Sequence, residues 1–559
     1  MNEAAGEFHF SPRPNRAAEI NWHAWSPEAF DEARQTGRPI LLSISAVWCH
    51  WCHVMDETTY SHPAVIDLIN REYVPVRVDN DVRPDINQRY NMGGWPSTAF
   101  LTPSGDILTG ATYMPPDQMA SALLRIADYY RANQAEVASR VLEARKRAAS
   151  GVARSAGQLE PDLVDLILDA VRSAYDEEYG GFGGAPKFPQ SDAILLLLEQ
   201  SVLRSDPELR RMAEHTLERM TGGGTYDQVE GGFFRYSTTQ DWSVPHFEKM
   251  LEDHAALVQA LALAGMAEAL DKTTAYLDRV LRDPKTGLYA GSQDADEHYY
   301  SMDAEERRAA AAPFVDRRVY SAWNAALAIA YLEAALRLDR PALRDKAAML
   351  LDSLFKRAYR RGQGMSRAEG VHGQLGDQVW SLWAALRAHQ HGLGGDWMAI
   401  AEDLASHLEA TYADQELGGY LDHAGGEELG RLGERIKPLA ENSVAAMALI
   451  ELDVVIGDPL STYRERARRA LESVAALPQQ YGLMAAVFAR ALDRMGHAIK
   501  ITTRNAGLAR AGVAAHPYAV IDAAGDQRAV VCAGTICLAP VSTPDAVKEA
   551  IQEASTSRA

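Results

Sequence analysis

The sequence predicts a multidomain protein, α/β at its start and all-α through most of its length, and three observations carry that class. The first is Cys49-His50-Trp51-Cys52, placed directly after the aliphatic run Ile40–Ala46. A buried strand whose end opens a helix with a Cys-x-x-Cys is the arrangement of thioredoxin-like folds. The second is a helical region in which charged and apolar segments alternate with a period of roughly fifty residues. The third is a return to short strand and helix patterns from Ala498 onward. The expected organisation is a thioredoxin-like domain over 1–135, a linker over 136–158, an (α/α)6 toroid over 159–496 and a small C-terminal α/β segment over 497–559.

Composition bounds the function. The chain has 559 residues, 47% of them hydrophobic and 24% charged, as in ordinary globular proteins. Its formal net charge is −20, spread along the chain, which argues against nucleic acid or an anionic membrane as a partner. No apolar stretch has the length of a bilayer span. The four cysteines form two close pairs, Cys49/Cys52 and Cys532/Cys537, and this usage suits specialised thiols in a cytoplasmic protein.

In the first domain Ser26-Pro27-Glu28 opens a helix, with serine as N-cap and proline in the first turn. The Ile40–Ala46 strand leads into the cysteine helix, where unpaired N–H groups and the dipole favour thiolate at Cys49. A helix around Pro63–Asn70 and strands at 73–79, 93–101 and 106–112 complete the pattern. Proline is tolerated where Trp95-Pro96 begins a strand, and because thioredoxin-like proteins resembling this pattern carry a cis-proline there, Pro96 is expected to be cis. Cys-x-x-Cys-His also matches c-type haem attachment, which needs an exported chain; Met1–Glu7 has neither the basic start nor the apolar run of a signal peptide. Zinc through Cys49, Cys52, His50 or His53 lacks a second nearby pair of ligands. An inert thioredoxin-like scaffold is the remaining alternative.

Trp48–Met55, Arg77-Val78-Asp79, Arg83–Ile86, Gly94-Trp95-Pro96 and Thr112–Pro115 together resemble one family. It is the thioredoxin-domain family of spermatogenesis-associated protein 20 and its bacterial relatives, whose second domain is a six-hairpin toroid similar to glycosidases and N-acylglucosamine 2-epimerases. The resemblance implies a cis-proline lying against the dithiol. Later segments agree, namely Pro245–Leu251, Asp294-Ala295-Asp296 and the pair Cys532/Cys537. The pattern departs from the family at Glu252-Asp253-His254, where Tyr-Asp-Asn is usual, and at Trp323-Asn324-Ala325, where Trp-Asn-Gly is usual. The acidic, glycine-rich stretch after Asp296 is shortened to Glu297–Tyr300.

Six charged, amphipathic segments are expected outside the ring: 160–178, 207–220, 271–282, 341–360, 396–412 and 461–477. Six segments apolar on most faces are expected inside it: 192–203, 247–264, 322–338, 377–389, 441–455 and 481–494. Loops from outer to inner helix repeat glycine beside an aromatic, as in Gly180-Gly181-Phe182, Gly231-Gly232-Phe233, Gly287-Leu288-Tyr289 and Gly418-Gly419-Tyr420. These loops and the inner-helix starts share one face of the ring. Helical spacing puts His246, Lys249 and Asp253 on one face, with Glu248 beside them. Lys187, Arg235, Tyr236, Asp294, Asp296, Trp323, Asn324, Asp377 and Asn442 join them in a pocket. Carboxylates, a histidine and aromatic walls suit a polyhydroxyl ligand with acid–base chemistry available. The competing reading is that these groups cap helices.

No cofactor or metal is expected; the Gly222–Gly224 run lacks the Gly-Lys-Ser/Thr of a phosphate loop. The function expected first is thiol–disulfide exchange, with Cys49 attacking, Cys52 resolving, His50 steadying the thiolate and Pro96 shaping the groove. Its partner is a protein thiol or disulfide, or a reductase, and the toroid takes a sugar-like molecule. The rivals are a carbohydrate epimerase or hydrolase and a non-catalytic binding protein. Cys532 and Cys537 are either a second dithiol or two small core residues flanking a turn.

Overall fold

The computed structural model describes residues 8–149, 156–426 and 429–556. Two compact units divide the chain. One takes Met1–Ala153, Asp294–Asp296 and Gly425–Ile436, and the other takes the rest.

The first unit is built on a four-stranded sheet. Its elements are α1 (Pro27–Thr36), β1 (Ile40–Ser45), α2 (His50–Glu57), α3 (Pro63–Glu72), β2 (Val74–Asp79), α4 (Pro84–Tyr90), β3 (Ser97–Leu101), β4 (Ile107–Ala111), α5 (Pro116–Ala132) and α6 (Gln134–Ala149). The strand order is β2-β1-β3-β4, with β1 parallel to β2 and the other pairs antiparallel. Every residue of β1 is buried, Ser43 and Ser45 along with its four aliphatic residues. Leu41 joins Tyr60, Ile69, Phe100 and Leu123 on one face, while Ile40 and Leu42 join Phe30, Val76 and Leu101 on the other. Ser26 is the N-cap of α1, with Pro27 at its first turn. The stretch expected as a linker begins inside α6; residues 150–155 lie outside the described residues.

The second unit is a closed ring. Among the described residues its inner helices are Ser191–Leu203, Leu251–Ala264, Ser321–Arg337, Leu375–Gln390, Leu439–Ile456 and Ala486–His497. Each packs on the next and the last returns to the first. The outer helices are Leu163–Ala174, Pro207–Gly222, Ala267–Tyr276, Pro341–Ala358, Trp397–Thr411 and Tyr463–Glu472. This is the (α/α)6 toroid that the alternation of apolar and amphipathic segments predicts.

A small sheet follows, in the order Ala519–Asp522, Ile499–Thr502, Val530–Ala533, Ile536–Cys537, with helices Ala506–Ala515 and Pro544–Thr556. It packs at the C-terminal ends of inner helices: Lys500 Nζ donates to the Val455 carbonyl (2.8 Å) and Arg510 Nε to that of Leu336 (2.9 Å). It therefore sits at the C-terminal ends of those two inner helices. The opposite mouth of the ring is lined by the N-terminal ends of the inner helices.

The structure corrects one element. The second inner helix begins at Leu251, not Phe247, and the residues before it form two short strands. Pro245–His246 pairs with Tyr236–Ser237, and Lys249–Met250 pairs with Ser292–Gln293. The backbone groups of 245–250 are satisfied across the loops, so His246, Lys249 and Asp253 do not share a helical face.

Candidate active site

In the first unit Cys49 is the N-cap of α2, and the Cys52 N–H donates to its Sγ at 3.1 Å. The helix start thus turns an unsatisfied backbone donor onto the sulfur that would carry negative charge. Cys49 and Cys52 are joined as a disulfide and are 4% and 2% exposed. The Trp95–Pro96 bond is cis, as the sequence predicts. Trp95 packs edge-on against Trp48 with ring centroids 5.5 Å apart, which holds the proline's strand beside the residue preceding Cys49. Trp48 Nε1 in turn donates to Asp81 Oδ2 (2.8 Å). Trp51, between the cysteines, is 47% exposed and rests against Tyr113.

Beneath this site lie charged groups whose roles sequence reasoning missed. Arg77 donates twice to Asp56, both bonds 2.9 Å, in a fully buried bidentate pair that locks α2 to β2. His53 is 3% exposed, and its pKa is pushed down to about 3 by burial and then by neighbouring His9. Its Nδ1 stands 3.4 Å from Asp294 Oδ2. Asp294 and Asp296 therefore cluster with the first unit, not with the ring pocket to which sequence spacing assigns them. Half-buried His50 sits beside Trp51. Of the two histidines, His53 is the buried one.

In the ring, Lys187, Lys249, Asn324, Asp377 and Asn442 of the expected pocket prove to hold the repeat together. Each glycine–aromatic loop closes with reciprocal backbone bonds to an aspartate, as between Asp227 and Gly231–Gly232 or Asp414 and Gly418–Gly419. Gly419 has φ 68°, and a Cβ there would lie 2.0 Å from Ser473 Oγ, so only glycine fits. Buried lysines anchor the same aspartates: Lys187 to Asp176 (2.6 Å), Lys249 to Asp227 (2.7 Å) and Lys437 to Asp414 (2.9 Å). Burial brings the Lys249 pKa down to about 8, against the pull of Asp227. Lys187 and Lys249 are struts, then, and not ligand-facing groups.

A second device repeats at the inner-helix starts. Asn324 accepts from the Tyr289 N–H (2.9 Å) and donates to the Tyr289 and Tyr320 carbonyls. Asn442 treats Tyr420 in the same way, and Gln378 treats Met365. At the second hairpin His254 Nε2 accepts from the Phe233 N–H (2.9 Å), while its Nδ1 lies 2.6 Å from the Met250 carbonyl. Burial lowers the His254 pKa to about 4, so the ring stays neutral and Nε2 can accept. Histidine in place of asparagine keeps the clasp. Asp377 caps two helices at once, receiving the Ala322 and Gln374 N–H groups, and Trp323 packs on Tyr320.

A smaller constellation remains available for chemistry. Tyr236 stacks between Phe188 (centroids 4.6 Å) and His246 (4.9 Å). His246 Nδ1 lies 3.1 Å from Glu248 Oε1, with Arg235 3.9 Å from the other carboxylate oxygen. Burial raises the Asp253 pKa to about 7, and its Oδ2 has no hydrogen-bond partner. Desolvation within the ring also raises half-buried Glu441 and, despite its exposed side chain, Glu252, opposed by Arg367. Sequence reading places Glu441 among the polar inner-helix starts and notes Glu252 only as a departure from the family pattern; it missed Arg367. No group of three or more His, Cys, Asp or Glu among the described residues has metal-holding geometry.

Comparison with known proteins places these features. The family model Thioredox_DsbH, described as "Protein of unknown function, DUF255", matches residues 13–148. Spermatogenesis-associated protein 20 of Rattus norvegicus is 36% identical over 307 residues, a match that takes in 50% of this chain and 39% of that protein. The chain thus covers about two fifths of that curated relative's length. Disulfide bond reductase DsbH of Chlamydia pneumoniae is 23% identical over 125 residues, 20% of this chain and 74% of that one. A solved D-mannose isomerase aligns with 60% of this chain and 98% of its own, at 14% identity and a TM-score of 0.47. Over residues 13–148 the chain matches that thioredoxin-like family model, and over half its length it is similar to spermatogenesis-associated protein 20.

Proposed function

We propose that the chain is a thiol–disulfide oxidoreductase acting through Cys49 and Cys52 on protein thiols or disulfides, in the cytoplasm. The observation that carries this reading is Cys49 at the N-cap of α2, its Sγ receiving the Cys52 N–H. When the pair is reduced, that bond and the helix dipole stabilise the Cys49 thiolate. The thiolate attacks a substrate disulfide, one substrate sulfur leaves with the electron pair, and a mixed disulfide forms. Cys52 then loses its proton and attacks Cys49 Sγ, releasing the second substrate thiol and restoring the disulfide present in the structure. Buried, neutral His53 adds no cation beside the pair. The disulfide reductase similarity of the first unit supports the same direction of reaction.

The test is a trap. Cys52→Ser should hold a mixed disulfide with a disulfide-containing peptide at Cys49, visible by intact-mass spectrometry, and Cys49→Ser should hold none. Failure of Cys52→Ser to accumulate the adduct contradicts the reading.

A second activity in the ring has a specific observation behind it. Asp253 is protonated up to near neutral pH beside the His246–Glu248 pair, which supplies a proton donor and an acceptor for a sugar-like ligand. The reading fails if calorimetry with a panel of mono- and disaccharides gives no heat that Asp253→Asn abolishes.

A further inference from the structure

We propose that Cys532–Cys537 is a second thiol–disulfide exchange site, whose attacked sulfur is Cys537 and whose reductant is a dithiol. The two cysteines face each other directly across an antiparallel hairpin, Cys532 on Val530–Ala533 and Cys537 on Ile536–Cys537. Gly534 and Thr535 form the turn, Gly534 with φ 59°. The hairpin is an outer edge of the small sheet, and Ile536 beside the cysteine is 49% exposed.

Exposure differs sharply between the two sulfur-bearing residues. Cys537 is exposed, whereas Cys532 is 9% exposed. Exchange proceeds by attack along the S–S axis, so the accessible sulfur is the one attacked and the buried one leaves. The expectation that both are small core residues flanking a turn holds for buried Cys532 and is corrected for Cys537, which is exposed at the sheet edge.

Main-chain hydrogen bonds also brace the hairpin. The Leu538 N–H donates to the Val531 carbonyl (2.9 Å), and Ala529 and Val541 exchange a reciprocal pair of bonds at 2.8 Å. These bonds brace the hairpin's base besides the disulfide, as a reversible exchange requires.

The balance is simple. A reductant thiolate attacks Cys537 Sγ, the S–S bond breaks, and its electron pair passes to Cys532 Sγ, which takes a proton from water. The reductant's second thiol gives its proton to water and attacks its partner sulfur, releasing Cys537, which takes up a proton. The dithiol becomes a disulfide, and the pair gains two electrons and two protons.

The test uses the full chain and its Cys49→Ser/Cys52→Ser double variant, so that failure here is separate from failure at the first dithiol. Dithiothreitol is titrated, samples are quenched in acid, and each cysteine is scored by differential alkylation mass spectrometry. Cys532 and Cys537 should reduce and re-form in both proteins, with far-UV circular dichroism and Tm unchanged on their reduction. On exposure to glutathione disulfide, Cys532→Ser should take the adduct at Cys537 at least about tenfold faster than Cys537→Ser takes it at Cys532. Resistance to reduction, equal adduct rates at the two cysteines, or a cooperative loss of structure on reduction would each overturn the proposal.

Discussion

Asp253 shows how one residue's surroundings become a measurable pH dependence. Its pKa rises from the ordinary carboxylate range to about 7, first by burial and then by Glu252 and Glu248, against the pull of Arg235. Between the unfolded value of about 3.9 and the folded value the native state binds the extra proton, so stability falls as pH rises through that window. Asparagine has no proton to lose. Asp253→Asn should therefore gain on the order of 1 kcal/mol over the parent at pH 8 and little at pH 4, in paired denaturant titrations. An equal change at both pH values would mean that Asp253 does not titrate in the folded ring.

At the scale of elements, the clasps between inner-helix side chains and loop backbones decide the stability of each hairpin. Asn324, Asn442, Gln378 and His254 each satisfy a buried N–H of the loop they face. Removing such a partner leaves the donor unpaired at about 1–3 kcal/mol. Asn324→Leu should cost that much in a urea titration, while His254→Asn should cost less than His254→Leu, because asparagine does the same work in neighbouring hairpins. Equal losses for the two His254 variants would contradict the shared role. This device was only half legible in sequence. Glycine beside an aromatic announced the loops, but Asn324 and Asn442 read equally well as pocket residues, because their partners lie a helix away in the chain. Lys187 and Lys249 misled for the same reason: nothing local in the sequence says that a lysine faces a loop aspartate.

Across the whole molecule, what was legible follows from range. The strand–dithiol–helix junction and the alternation of apolar with amphipathic helices are local patterns, and they placed the thioredoxin-like unit and the ring; the cis-proline came with the resemblance to thioredoxin-like proteins. Contacts between distant segments stayed hidden. Asp294 sits against His53 although most of the chain's first half separates them, and 245–250 pairs as strands because Tyr236–Ser237 and Ser292–Gln293 come to meet it. No helix among the described residues is long and apolar enough to cross a membrane. The measurement that tests the central claim most directly is the pH dependence of Cys49 alkylation by iodoacetamide in Cys52→Ser, with Cys532 and Cys537 also replaced by serine. A Cys49 thiol activated by the start of α2 reacts with a midpoint well below the free-thiol value of about 8.5. A midpoint at or above 8.5 would contradict the claim.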